Sequence, residues 1–216
     1  MAPSSPSTRT LGVLASGQGT NFEALALAAQ RGELGGRIAL LASDRPDAPV
    51  MERARRLGIE ALALPAGTRW RTRLEDERSW IDALHSRGVE VVLLAGFMRR
   101  LHGAFLEAFE DRILNIHPSL LPAFPGLDAI HQAWSHGARV TGCTVHLVDD
   151  RLDAGPIVAQ SAVEVRDDDT LASLEARVHE AEHRLYPAAV RRYLGTPWRI
   201  EGRRLLFEPA VREGTP

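Results

Sequence analysis

The sequence predicts one α/β domain on a mainly parallel sheet, and three observations carry that expectation. Apolar runs of strand length alternate with segments of helical period along most of the chain. Two long strands towards the carboxyl end follow one another with only a loop between them, so they should pair antiparallel at one side of the sheet. A length of 216 residues with 44% hydrophobic and 25% charged side chains suffices for one full core, and no internal repeat or linker divides it.

Taken in order, the strands fall at Leu11–Ala15, Arg37–Ser43, Glu60–Leu64, Val89–Ala95, Ile113–His117, Gly142–Val148 and Ile157–Val165. Helices fill the intervals at Asn21–Arg31, Val50–Leu57, Leu74–Arg87, Gly103–Phe109 and Leu127–Ser135, each stopped by glycine, proline or a new apolar run. Acidic Asp167–Asp169 lead into the longest helix, where Leu171, Leu174, Val178, Ala181 and Leu185 mark one buried stripe. Beyond Tyr186-Pro187 the chain is expected to turn irregular, with a short hairpin over Trp198–Phe207. The polar, Pro/Ser-rich start makes residues 1–9 a leader, 10–195 the domain and 196–216 an extension.

Composition excludes several function classes. Nowhere do about 18 apolar residues run together, so no membrane-spanning helix is expected. The start lacks the apolar core of a secretory signal, and a lone Cys143 makes no internal disulfide, so a cytoplasmic protein is expected. A formal net charge of -2 gives no electrostatic reason for nucleic acid or membrane as partner. All 26 basic residues are arginine, which removes Schiff-base catalysis and the lysine-bearing phosphate loop.

Chemistry belongs at the carboxyl ends of the strands, where open α/β sheets bind ligands. The first such end is Ser16-Gly17-Gln18-Gly19-Thr20-Asn21, directly before a helix. Its glycines expose backbone N–H groups and the helix start adds partial positive charge, which suits a phosphate or carboxylate. It departs from the dinucleotide fingerprint, with Phe22 in place of the third glycine and no acidic residue ending the second strand in the usual context. A plain tight turn with Asn21 as helix cap is the alternative.

In Asn115-Ile116-His117-Pro118, residues two apart share a strand face, so the amide and the imidazole project together. Such a pair holds a carbonyl oxygen and stabilises negative charge developing on it, or else merely satisfies a strand end. The loop Asp149–Pro156 follows the strand bearing Thr144 and His146. A carboxylate from it, with Asp153 the best placed, favours a charged imidazole if the two meet; an isolated turn aspartate is the alternative.

Four segments occur together: Ser16–Asn21, Leu94-Ala95-Gly96-Phe97-Met98-Arg99, Asn115-Ile116-His117-Pro118-Ser119-Leu120-Leu121-Pro122 and Leu152-Asp153-Ala154-Gly155-Pro156. In that order, and from about Leu11 to Pro187, the chain resembles the phosphoribosylglycinamide formyltransferases, folate-dependent enzymes of purine biosynthesis. The resemblance implies a single-domain Rossmann-like formyltransferase fold with helices on both sheet faces. It implies transfer of the formyl group of 10-formyltetrahydrofolate, as co-substrate and without a metal, to the amine of glycinamide ribonucleotide. The enzyme would act as a monomer or homodimer. Asn115, His117 and Asp153 would form the catalytic trio. Gly19, Thr20 and Asn21 would hold the substrate phosphate and Glu182 its ribose hydroxyls. Met98, Arg99, Arg100, Leu101, Asn115 and the loop Val148–Asp153, with Val148 and Asp150, would enclose the folate, and Arg73 would add a contact. Asp128 and His131 receive no role.

Relatives sharing the chemistry are set aside by length. Methionyl-tRNA formyltransferases add a carboxyl-terminal domain, whereas roughly thirty residues follow Pro187; formyltetrahydrofolate hydrolases add an amino-terminal one, whereas roughly ten residues precede the first strand. His179-Glu180-Ala181-Glu182-His183 matches the helical H-E-x-x-H zinc-peptidase signature. Pro187 follows soon after, and no further His/Gly extension completes it. Cys143 is expected to be a small buried residue, and Trp70, Trp80, Trp134 and Trp198 to pack in the core or at edges. The Arg69–Arg73 run, followed by Glu75-Asp76-Glu77, reads as a solvated loop. His146 is either a partner of Asp153 or a plain strand histidine.

Overall fold

The computed structural model describes residues 8–67 and 73–209; most of the leader, Trp70 with the rest of its arginine-rich run before Arg73, and the last seven residues lie outside them. The strands are β1 (Arg9–Leu14), β2 (Gly36–Ser43), β3 (Glu60–Ala63), β4 (Val91–Leu94), β5 (Ile113–His117), β6 (Val140–Leu147), β7 (Ile157–Glu164), β8 (Trp198–Glu201) and β9 (Arg204–Phe207). The helices are α1 (Thr20–Gln30), α2 (Pro49–Arg56), α3 (Glu77–His85), α4 (Gly103–Ala108), α5 (Ala129–Ser135) and α6 (Leu171–Gly195).

Among the described residues the strands form one sheet in the order β3-β2-β1-β4-β5-β6-β7-β9-β8. The first five are parallel, and β6 runs antiparallel to both β5 and β7. Alternation along the strands divides the core. Leu11, Val13 and Ala15 face a cluster with α1, α2 and α6, whereas Leu14, Leu40 and Val92 face one with α3 and α4. Helices therefore cover both faces, as expected. No helix among the described residues is long and apolar enough to cross a membrane.

Three expectations are corrected. α3 begins at Glu77 rather than Leu74, because Asp76 accepts from Ser79 N and caps it there. α5 begins at Ala129, after Asp128 takes a left-handed conformation with φ 57°. The long helix does not stop at Tyr186-Pro187 but runs through Pro187 to Gly195. Tyr186, Ala189, Val190 and Tyr193 continue its buried stripe. Burial, worth about 1.5–3 kcal/mol for each large apolar side chain, outweighs the roughly 3 kcal/mol an interior proline costs. The hairpin over Trp198–Phe207 is present, and β9 joins the sheet beside β7.

Candidate active site

The chain leaves β1 towards β2 on one side and leaves β4 towards β5 on the other, so a crevice opens between these strands at their carboxyl ends. Two bonds fix its walls: Ser16 N donates to Gly96 O at 3.1 Å, and Met98 N donates to Ser16 Oγ at 2.9 Å. Asp44 directly follows β2, where no acidic residue was expected to serve, and its buried carboxylate accepts from Arg99 Nε at 2.7 Å.

Antiparallel pairing sets the chemistry at β5. Asn115 lies opposite His146, and His117 opposite Thr144. His146 Nδ1 is 2.8 Å from Leu147 O. A carbonyl only accepts, so Nδ1 carries the proton and Nε2 keeps its lone pair. Burial, the largest influence, holds the pKa of His146 below the ordinary histidine value, which favours the neutral ring. Nε2 then accepts from Asn115 Nδ2 at 3.1 Å, and the second amide hydrogen remains for a ligand.

His117, 5% exposed, has Nε2 2.9 Å from Phe124 O and Nδ1 3.6 Å from Asp153 Oδ2. A carbonyl only accepts, so Nε2 carries a proton, and the Asp153 carboxylate lies on the Nδ1 side of the ring. The Pro118–Phe124 turn that delivers this carbonyl is held by two buried hydroxyls, Ser119 Oγ donating within it to Ala123 O and Thr144 Oγ1 reaching it from β6. Thr144 Oγ1 donates to Ser119 O and accepts from Leu121 N and Gln160 Nε2, at 2.7, 3.0 and 2.9 Å.

Asp153 arrives on the loop after β6 with φ 48°, and Gly126 N donates to its Oδ2 at 2.7 Å. Its Oδ1 is 3.8 Å from His146 Nε2, so Asn115, His146, Asp153 and His117 form one arc. Gly155 lets the loop fold back, since a Cβ there would stand 1.9 Å from Leu147 O. Behind the arc the fully buried Tyr186 hydroxyl lies 3.0 Å from both Leu94 O and Leu114 O, tying α6 to β4 and β5.

Across the crevice, α1 starts at Thr20 behind Gly19 as N-cap, with φ 78° and no side-chain cap, so Asn21 is not the cap. The amides of its first turn have no partner within the helix. A Cβ on Gly19 would meet Val50 Cγ2 at 2.4 Å, so α2 as well as the dihedral demands glycine. Asn21 Nδ2 instead donates to Glu182 Oε2 at 3.1 Å, joining α1 to α6 across 161 positions. Arg53 of α2 braces this loop, donating from Nε to Gln18 O at 2.7 Å and pairing with Glu23.

The remaining expected residues are placed as follows. Arg100 donates to Asp150 O, linking the β4–α4 segment to the loop after β6, and Arg73 bridges to Arg100 in the backbone. Leu101 is buried, Met98 is half-buried, Val148 packs against the α3–α4 cluster, and the Arg99 side chain turns inward to Asp44. Of the zinc-like motif, His179 Nδ1 lies 2.8 Å from Glu182 Oε2, and Glu180 pairs with Arg184 on the solvent side. No metal-holding group of three or more His, Cys, Asp or Glu occurs among the described residues. Cys143 is buried and its thiol is pushed up to about 12 by desolvation first. Sequence reasoning missed Thr144, Tyr186, Arg53 and the Phe124 carbonyl, because each acts through a partner outside its own strand, helix or turn.

Residues 9–190 match the family described as formyl transferase. The chain is 43% identical over 183 residues to phosphoribosylglycinamide formyltransferase of Bacillus subtilis (strain 168), covering 85% of this chain and 93% of that one. It is 38% identical over 199 residues to the Escherichia coli (strain K12) protein of the same name, covering 92% and 91%. The crystal structure of glycinamide ribonucleotide transformylase 1 from Symbiobacterium toebii superposes with a TM-score of 0.88 at 43% identity, over 96% of this chain and 99% of that one.

Proposed function

We propose that this chain, which belongs to the formyl transferase family, is a phosphoribosylglycinamide formyltransferase of purine biosynthesis. It transfers the formyl group of 10-formyltetrahydrofolate to the amine of N1-(5-phospho-D-ribosyl)glycinamide, giving the N2-formyl product and tetrahydrofolate. The observation that carries this is the arc of Asn115, His146, Asp153 and His117 at the carboxyl end of β5, in a chain 43% identical to an enzyme of that name.

The amine attacks the formyl carbon, and negative charge develops on the formyl oxygen. Asn115 donates to that oxygen, a well-placed donor being worth about 2.7–4 kcal/mol, and the positive charge of protonated His117 beside it stabilises the developing negative charge. Asp153 holds the charge on His117 and orders a water that passes the proton from the amine to N10 of the folate. The bond from N10 to the former formyl carbon then breaks, releasing tetrahydrofolate as the carbonyl re-forms. The first-turn amides of Gly19, Thr20 and Asn21 hold the phosphate, and Glu182 the ribose hydroxyls. The folate lies between Met98–Leu101 with Asn115 and the loop Val148–Asp153, walls bridged by Arg100 and Asp150; Arg73 adds a contact at the rim. Small-molecule substrates and a single buried thiol suit a cytoplasmic monomer or homodimer.

The test is an assay with both substrates, with the ribonucleotide omitted in a parallel arm and a chelator added in another. Formyl transfer that needs the ribonucleotide and ignores the chelator is expected. Folate turnover without ribonucleotide indicates a hydrolase instead, and chelator-sensitive activity overturns the metal-free scheme.

A further inference from the structure

His179 is the member of the zinc-like motif to which the catalytic scheme gives no task. Its side chain is 51% exposed, yet its Nδ1 reaches the 3% exposed Glu182 carboxylate at 2.8 Å. The oxygen it touches, Oε2, is the one that accepts from Asn21 on the phosphate loop. Oε2 therefore has two donors, one from each helix, and Oε1 stays available to a ligand. A buried carboxylate beside a phosphate site opposes a substrate dianion unless a cation offsets it. With no lysine in the chain, that cation must be arginine or a protonated histidine.

We propose that His179 is a positioning residue for the ribonucleotide. It fixes Glu182 through Oε2 so that Oε1 meets the ribose hydroxyls, and its positive charge offsets Glu182 beside the phosphate. Ribonucleotide affinity then follows the protonation of His179. The inference rests on the proposed function for the identity of the ligand.

The charged groups around the ring are Glu182 and Glu175 on α6, with His183 one turn on, and His183 in turn feels Glu23 of α1 and Arg53 of α2. The hydrogen bond that His179 donates to Glu182, the largest influence, holds the His179 pKa above the ordinary histidine value, whereas burial lowers that of His183. The cation thus persists towards neutrality and is lost on the alkaline side. Above that point the Nδ1–H tautomer still donates to Glu182, but the charge is gone, so binding weakens while the geometry stays.

Calorimetric titration of the ribonucleotide into the parent, H179Q and H179A from about pH 6 to 9, with steady-state KM and kcat in parallel, tests this. Glutamine keeps a donor and cannot titrate. The ratio of parent to H179Q dissociation constants should rise about three- to tenfold across the range, because ionisation of the phosphate is common to both and cancels. H179A should bind more weakly than H179Q throughout, and kcat should move little in either variant. Parallel parent and H179Q profiles, or losses confined to kcat, overturn the inference. Ribonucleotide binding with the expected pH ratio but no formyl transfer would instead count against the proposed reaction alone. Absence of binding in the parent overturns both.

Discussion

On the β5–β6 side of the cleft, Asn115 donates to His146, the Asp153 carboxylate stands within 4 Å of both His117 and His146, and a carbonyl from a neighbouring turn accepts from His117. On the β1–α1 side, Gly19 brings no side-chain cap, and what is offered is backbone N–H at a helix start. The first region is organised before any ligand arrives, which suits stabilising charge that exists only in the transition state. The second offers unpaired backbone donors, which suit a ground-state anion. Damage to the first should therefore appear in kcat, and damage to the second in the KM of the ribonucleotide.

The sharpest test of that contrast is Asn115→Ala. Removing one donor to the developing oxyanion should lower kcat by about 10²–10³, with unchanged far-UV circular dichroism and a ribonucleotide KM within a few-fold of the parent. Near-normal turnover would break the comparison at its stronger end.

Gly19→Val attacks the other region. The new Cβ meets Val50 at 2.4 Å and must hold φ 78°, so α2 has to shift. We expect a ribonucleotide KM raised about tenfold or more and a stability loss of about 1–3 kcal/mol, read by chemical denaturation. Folate affinity measured by calorimetry should stay unchanged; its loss with ribonucleotide binding kept would reverse the two subsites.

His146→Ala separates arrangement from chemistry within the first region. The neutral ring orients Asn115 and does not itself donate to substrate, so kcat should fall by about tenfold, less than for Asn115→Ala. Both KM values should hold. In the double variant the two losses should not add, since they share one bond.

Arg53→Ala should have the smallest effect. Its contacts to Gln18 O and Glu23 are partly exposed, and such pairs are worth about 0–1 kcal/mol. A two- to fivefold rise in ribonucleotide KM without change in kcat is expected, about what 1 kcal/mol supplies. A drop in kcat instead would mean that the loop also shapes the catalytic side.

Much of both regions was legible in the chain because the rules that make them are local. A period of two places Asn115 and His117 on one face whatever the fold around them. Two glycines before a helix make an amide-lined turn by sterics alone. Pro187 misled because proline rules describe an isolated helix, whereas Tyr186, Val190 and Tyr193 anchor this one in the sheet. His146 stayed ambiguous because its partnership with Asn115 depends on the register between β5 and β6, which no neighbouring residue encodes.

By itself the sequence determined the alternation of strands and helices, the exclusion of lysine chemistry, the glycine turn, and the resemblance to the phosphoribosylglycinamide formyltransferases. Only the tertiary structure decided which of these pieces touch. The 31 positions from Asn115 to His146, the 92 from Leu94 to Tyr186 and the 161 from Asn21 to Glu182 are closed by packing of the whole sheet and α6. Local propensity acts over a few residues, and contacts that close such loops form because burial of the shared core offsets the entropy of bringing distant segments together.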